Sequence, residues 1–74
     1  MFRIQRYETP LGADDAMRLV NDSMGEFFER KDAVAYVEKY AATHNYWGYK
    51  KRQDSWWCRN EGDEIVKTLV VCPR

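Results

Sequence analysis

Residues 46–59 read YWGYKKRQDSWWCR, and this stretch decides how the rest of the chain is interpreted. It contains five aromatic and four basic residues, including all three tryptophans of the chain. Tyr46 to Arg52 and Ser55 to Arg59 are typical of strands, because aromatic residues are enriched in β-sheets. Asp54, preceded by Gln53, supplies a turn residue between them. The stretch therefore predicts a β-hairpin that is both aromatic and basic.

Two further strands are predicted outside this hairpin. Phe2 to Tyr7 alternates apolar and polar side chains, which is the pattern of a half-buried strand, and the segment Thr9 to Gly12 is expected to end it. Residues 64–72 form a long run that is rich in β-branched side chains, which is typical of a strand. Their apolar side chains fall on both faces, which indicates a central strand or a face covered by a partner. Within the hairpin, Gly48 is expected at a bulge or a crowded crossing.

The apolar pattern of residues 33–44 predicts the main helix. Asp32 is a natural N-cap, and Val34, Val37 and Ala41 form one apolar stripe. The helix is expected to end near His44-Asn45, because asparagine tolerates the left-handed conformation found at helix C-termini.

Residues 14–23 leave two alternatives open, a short helix or an acidic loop. Met17, Val20 and Met24 share one helical stripe, but the asparagine, serine and glycine nearby favour an early end. Just before the main helix, one of Phe27 and Phe28 is expected to enter the core.

Together these elements predict a single α+β domain over residues 1–74. The expected architecture is an antiparallel sheet of three to four strands with one or two helices packed on one face. The order along the chain would be β-(α)-α-β-β-β. At 74 residues the chain lies near the lower size limit for a domain that folds alone.

Charge is balanced overall but unevenly distributed. The chain has 12 basic and 12 acidic residues, which argues against a dedicated nucleic-acid coat protein. Residues 8–29 contain six acids and one base, whereas residues 49–59 contain four bases and one acid. The sequence therefore predicts a dipolar molecule, with a basic hairpin and an acidic patch formed by Asp14, Asp15, Asp22 and Glu26.

Compartment and redox state are inferred from what the sequence lacks. No run approaches the roughly 18–20 apolar residues of a membrane span, and the first residues have no apolar signal core. We therefore expect a cytoplasmic protein with no membrane partner. Cys58 should lie opposite Ile65 or Val66 in a terminal hairpin, too far from Cys72 for a disulfide. Two free thiols are expected.

No catalytic, cofactor or metal site is predicted. His44 and Cys58 are the one pair that could act as a base and a nucleophile, and no third group accompanies them. A structural zinc site normally takes four Cys or His ligands, and this chain has three such residues, not clustered. Glycine-rich phosphate loops and other cofactor motifs are missing.

The composition of the hairpin instead favours a binding surface. Trp56 and Trp57 are adjacent on a strand, so they point to opposite faces of the sheet, and one must lie away from the helix. Aromatic residues beside arginine are enriched in interface hot spots. We expect a protein or nucleoprotein partner, with weak homodimerisation as another use of the patch. The predicted partner-binding residues are Tyr46, Trp47, Tyr49, Lys50, Lys51, Arg52, Trp57 and Arg59.

In size and economy the chain resembles small phage or mobile-element proteins, such as anti-CRISPR proteins. That resemblance implies an inhibitor that occupies a surface of a larger machine.

Two alternatives stand beside the binding interpretation. One is a single-stranded nucleic-acid-binding module that uses the hairpin 46–59, since aromatic residues between basic ones stack bases and contact phosphates. The other is a small enzyme of unknown type.

Overall fold

One antiparallel sheet and one helix build the part of the chain that the structure, a computed structural model, describes: residues 1–13 and 16–73. The sheet order is β2-β1-β6-β5-β4, and β3 also pairs with β1. The elements are β1 (Phe2–Pro10), β2 (Arg18–Asn21), β3 (Glu26–Phe27), α1 (Arg30–Ala41), β4 (Tyr46–Lys50), β5 (Ser55–Arg59) and β6 (Ile65–Pro73).

The α+β class and the antiparallel sheet are confirmed, but the numbers of strands and helices are not those predicted. The described residues form six strands and one helix, rather than three to four strands and up to two helices. The additional strands are β2 and β3, which are four and two residues long. Strands this short carry almost no periodic signal, and pairing with β1 is what makes them strands.

The central pair of the sheet is β1 with β6. Their nine-residue register runs from Phe2 opposite Pro73 to Pro10 opposite Ile65. β1 therefore continues three residues beyond Tyr7, the predicted last residue, because β6 supplies a partner for each of them. Pro10 is the last residue of the strand. β6 begins at Ile65, one residue later than predicted, and ends at Pro73.

Both alternatives for residues 14–23, a short helix and an acidic loop, are wrong for residues 18–21. Residues 18–21 form β2, in which Leu19 lies opposite Tyr7. Local helix propensity here is weak, so the free edge of β1 decides the conformation. Residues 14 and 15 lie outside the described residues.

Helix α1 starts earlier and ends earlier than predicted. Glu29 is the N-cap, with extended backbone angles, and its carbonyl accepts hydrogen bonds from the amides of Asp32 and Ala33. Asp32 therefore lies in the first turn, where a carboxylate is stabilised by the helix dipole. The helix ends at Ala41, before His44.

The core lies between α1 and one face of the sheet. It contains Ile4, Ala33, Val37, Ala41, Trp56, Cys58, Leu69 and Val71. Val34, from the predicted stripe, packs against this cluster and is partly buried. Phe27 also packs against it, while Phe28 is 83% exposed. Of these two phenylalanines, Phe27 is therefore the one that contacts the core, and it does so from the edge rather than from within.

The β4–β5 hairpin is confirmed, with a first strand shorter than predicted. β4 ends at Lys50 rather than Arg52, because residues 51–54 form the turn. Gly48 lies opposite Trp57, and a Cβ atom at position 48 would be 2.7 Å from the Trp57 indole nitrogen. The expected crowding at this glycine is therefore present.

Both cysteines are free, as predicted. The pairing predicted for Cys58 is wrong by one or two residues, since it lies opposite Lys67 rather than Ile65 or Val66. The turn between β5 and β6 is longer than the sequence suggested, and this shifts the register.

Candidate binding face

The sheet divides the hairpin's aromatic residues between its two sides. Opposed residues on neighbouring strands share a face, so Trp47 and Tyr49 lie on the same side as the core residues Cys58 and Trp56. We call this the helix side. The other side, the open face, carries no helix in the described part of the chain. The open face presents Arg3, Gln5, Tyr7 and Thr9 of β1, Val66, Thr68, Val70 and Cys72 of β6, Ser55, Trp57 and Arg59 of β5, and Tyr46, Gly48 and Lys50 of β4.

Adjacent tryptophans have opposite environments. Trp56 is 3% exposed and belongs to the core. Its ring packs 4.8 Å from that of Tyr49, and its indole nitrogen donates to Glu38 at 3.4 Å. Trp57 is half-buried on the open face, where it lies across Gly48. The tryptophan directed away from the helix is therefore Trp57.

A groove of about 210 Å³ runs across the open face beside Trp57. Its floor includes Thr9 and Thr68, which are 7% and 5% exposed. One side is formed by the segment after β1, and Lys50 and Gln53 of the hairpin contribute the other. The lining residues are Thr9, Pro10, Leu11, Gly12, Met17, Lys50, Gln53, Trp57, Val66 and Thr68.

The open face carries basic side chains, with carboxylates at its border. The four strands β1, β6, β5 and β4 place Arg3, Lys50 and Arg59 on it and contribute no carboxylate to it. Arg3 lies at one corner, where Asp22 approaches it at 3.6 Å and Glu26 is its partner on β3. The positive charge next to the groove therefore comes from the hairpin.

Tyr46 and Arg59 form the rim of the open face near the β5–β6 turn. The Arg59 guanidinium lies 4.9 Å from the Tyr46 ring centroid, a cation–π arrangement. The Tyr46 hydroxyl donates to Glu61, and this hydrogen bond is the main cause that raises the pKa of Tyr46. The guanidinium also donates to the carbonyl oxygens of Asn60 and Asp63 at 3.3 and 3.2 Å, so Arg59 is held beside the ring.

The hairpin tip is exposed and anchored at its base. Lys51 and Arg52 are exposed in the turn. Asp54 follows them with a positive φ of 48° and accepts hydrogen bonds from Tyr49 and Arg30, both at 2.7 Å. The hydrogen bond from Tyr49 is the largest single cause that holds the pKa of Asp54 below its ordinary value, and Arg30 lowers this pKa further. These bonds connect the tip to the start of α1.

The predicted binding residues therefore occupy three places. Tyr46, Lys50, Trp57 and Arg59 are together on the open face, and Lys51 and Arg52 extend from the tip. Trp47 and Tyr49 lie on the helix side of the sheet edge, 43% and 49% exposed. In the predicted acidic patch, Asp22 accepts a hydrogen bond from Gln5 at 2.6 Å and lies with Glu26 near Arg3. Asp14 and Asp15 lie outside the described residues.

Several groove residues were not identified from the sequence. Thr9 shares the period-two alternation of β1 with Tyr7, which is a signal that places it on the open face. Leu11, Met17 and Gln53 carry no such signal, because the folding of two loops towards the same face is a tertiary feature.

Cys58 and His44 are held in structural roles. Cys58 is fully buried, and burial raises the pKa of its thiol. His44 Nε2 lies 3.4 Å from the Lys67 ammonium, and His44 Nδ1 lies 3.1 Å from the Tyr40 carbonyl. Since the ammonium can only donate, this geometry assigns the proton of a neutral His44 to Nδ1. Among residues 1–13 and 16–73, no three His, Cys, Asp or Glu side chains are grouped to hold a metal ion.

No family model, curated protein or solved structure matches the chain. Within the described residues, α1 is too short and too polar to cross a membrane. The function of the protein is therefore inferred from the geometry of its open face.

Proposed function

We propose that the protein is a non-enzymatic binding module whose open face binds an acidic segment on a larger protein or nucleoprotein complex. The observation that carries this proposal is the groove beside Trp57, which is bordered by Lys50 and lies on a face to which its four strands contribute no carboxylate. By occupying such a surface, the module would act as an inhibitor of its partner, in the manner of small phage or mobile-element proteins. The free thiols are compatible with a cytoplasmic location.

Trp57 supplies the apolar contact that a protein partner needs. A half-buried indole keeps its position without a partner, so little side-chain entropy is lost on binding. Lys50 and Arg59 lie to either side along the hairpin and would pair with carboxylates. Tryptophan and arginine are the residues most enriched in binding hot spots.

A single-stranded nucleic acid is the second candidate ligand. The combination of Trp57 with Lys50, Lys51 and Arg52 favours it, since stacking and phosphate contacts together bind single strands. The division of the aromatics between two faces argues against it, because Trp47 and Tyr49 cannot stack bases that lie over Trp57. Arg59 already covers one side of the Tyr46 ring. A protein partner therefore ranks first.

Catalysis is not part of the proposal. Cys58 is fully buried, and a raised pKa keeps its thiol protonated near neutral pH, whereas a nucleophilic cysteine needs to be an exposed thiolate. We propose no cofactor.

Tryptophan fluorescence tests the proposal. The protein is titrated with an aspartate- and glutamate-rich peptide and with oligothymidylate, at about 20 mM and about 200 mM salt. We expect the peptide to change the emission, and the Trp57→Phe variant to lose this change while Trp47→Phe keeps it. Lys50→Glu with Arg59→Glu should weaken peptide binding at least about tenfold.

The matched control is Lys31→Glu with Lys39→Glu, two exposed charges on α1 that change the net charge by the same amount. If both double variants weaken binding equally, the effect is due to net charge and the open face is not the site. A response to oligothymidylate alone, with a steep salt dependence, would establish the second candidate instead. Far-ultraviolet circular dichroism confirms that each variant is folded.

A further inference from the structure

β4 is an unprotected edge strand. It pairs with β5 on one side, and within residues 1–13 and 16–73 nothing pairs with its other side. Its five residues contain no proline, and its register with β5 is unbroken. The opposite edge is different, because β2 is one residue shorter and its pairing with β1 is interrupted by an irregularity between Arg6 and Tyr7. Bulges and short strands are devices that prevent edge-to-edge association, and β4 lacks them.

The side chains of β4 are unusually apolar for an exposed edge. Tyr46, Trp47 and Tyr49 are 42%, 43% and 49% exposed, so three of its five residues present large aromatic surfaces. Lys50 is the one charged residue of the strand. A natural edge normally carries more charge than this, which indicates that β4 has a partner.

We propose that the protein forms a homodimer in which the β4 strands of two copies pair antiparallel about a two-fold axis at Gly48. In this register Trp47 of each copy lies opposite Tyr49 of the other, and Tyr46 lies opposite Lys50. The two sheets become one, and the two open faces lie on the same side of it. This inference does not depend on what the open face binds, and its tests use Trp47 and Tyr49 of the helix side, because Lys50 belongs to both surfaces.

The partner of β4 is a second copy of the same strand, because β4 is self-complementary. Two-fold pairing about Gly48 places each exposed aromatic ring on the helix side next to an aromatic ring of the other copy, a favourable cross-strand pair. On the open face it brings the Lys50 ammonium to the side of the Tyr46 ring that Arg59 does not cover. The Tyr46 hydroxyl bonds to Glu61, so the ammonium also approaches a carboxylate. No two like charges of β4 face each other.

Gly48 at the axis leaves room for this approach. The space that a side chain at position 48 would take is filled by the Trp57 indole of the same copy, which covers the strand on the open face. The backbones of two β4 strands can therefore come together without a steric conflict at the centre.

The dimer is expected to be weak. Two five-residue strands with six aromatic side chains bury less than the roughly 1,200 Å² of a standard interface. We expect a dissociation constant on the order of 10–500 µM, which is the range of transient association.

Sedimentation equilibrium measures this association directly. From about 10 µM to about 1 mM, the average mass of the wild type should rise from that of a monomer towards twice that value. Trp47→Lys places a charge on the edge and should raise the dissociation constant at least about tenfold. Phe28→Lys is the matched control, since Phe28 is an equally apolar side chain, 83% exposed, outside the sheet edge, and it should dimerise like the wild type.

A disulfide trap tests the register. In a Cys58→Ala and Cys72→Ser background, Trp47→Cys and Tyr49→Cys are prepared as separate proteins, because Cys58 lies directly opposite residue 47 of the same copy and would otherwise capture the new thiol. Directly opposed Cα atoms lie about 4.5–5.5 Å apart, within disulfide range, so mixing the two variants under mild oxidation should give a cross-linked dimer.

Each variant alone should cross-link much less, because identical positions are diagonal in this register. A wild type that stays monomeric at about 1 mM, or equal cross-linking in the single-variant samples, would overturn the proposal. Circular dichroism of every variant separates a lost interface from a lost fold.

Discussion

At the scale of single residues, the hairpin shows how neighbouring side chains acquire different tasks. Trp56 and Trp57 differ in burial because strand alternation sends consecutive residues to opposite faces. Trp56 completes the core, and Trp57 lies on the open face with the groove at its side. Asp54, in the adjoining turn, is the residue that keeps the tip in place, because it joins Tyr49 and Arg30 while adopting a left-handed backbone.

Replacing Asp54 tests this anchoring role. Asp54→Ala removes both hydrogen bonds and places alanine in the left-handed region, which costs about 1–2 kcal/mol in backbone strain alone. Asp54→Asn tolerates that conformation and can still accept from Tyr49, so it should be less destabilising. Thermal unfolding of the two variants is compared with that of the wild type. Equal destabilisation would show that the left-handed backbone at position 54 does not disfavour alanine.

The same carboxylate makes a contribution that depends on pH. Its pKa in the folded state is below the ordinary value of 3.8, mainly because Tyr49 donates to it. A group whose pKa is lowered by folding stabilises the protein above its unfolded pKa and loses that contribution as pH falls through the folded value. The stability difference between wild type and Asp54→Asn should therefore shrink below pH 3.8. A difference that is independent of pH would exclude a contribution from the charge of the Asp54 carboxylate.

At the scale of elements, the apolar face of helix α1 is made of small residues. Ala33, Val37 and Ala41 are fully buried and recur every four positions, so the helix packs closely on the sheet. Larger side chains at the edges of the stripe, such as Tyr36 and Tyr40, cover its sides. Tyr36 meets Phe27 with 5.5 Å between ring centroids, and this contact connects the helix to the short strand β3.

Val37→Asp should unfold the domain. Val37 has no exposed surface, and an aspartate there would bury a charge without a partner, which costs several kcal/mol. A domain of this length has only about 4–11 kcal/mol of total stability. Circular dichroism and thermal melting provide the measurement.

The control is Ala35→Asp, at an exposed position of the same helix, which should melt within a few degrees of the wild type. A normal melting curve for Val37→Asp would show that this face of α1 is not in the core.

At the scale of the whole molecule, the order of the strands determines which surfaces remain free. β1 and β6, the first and last strands of the chain, pair over nine residues in the centre of the sheet. The hairpin β4–β5 is thereby placed at one side, so its outer strand becomes an edge and its basic tip extends from the sheet. Helix α1 covers one face, and the other face keeps a groove that the loops only partly close.

The two thiols report on the integrity of the whole fold. Cys58 has no exposed surface and Cys72 is half-buried, so a thiol reagent should label one cysteine in the native protein. The second should react only when denaturant unfolds the domain, since β5 lies inside the sheet and its exposure requires global unfolding. Mass spectrometry of the labelled protein counts the sites. Two modifications in the native state would mean that β5 opens locally, and Cys72→Ser identifies which thiol reacts first.

The sequence by itself determined those features that depend on neighbours along the chain. The hairpin, the two long strands, the buried face of α1 and the antiparallel α+β class follow from alternation, periodicity and turn residues, all of which act within about a dozen positions. The clustering of the basic and aromatic residues was equally visible. Only the tertiary structure decided that residues 18–21 form a strand, because that strand exists through its pairing with β1. It also decided which side of the sheet each aromatic ring occupies and which strand is left at the edge, since register and strand order arise from contacts between residues far apart in the sequence.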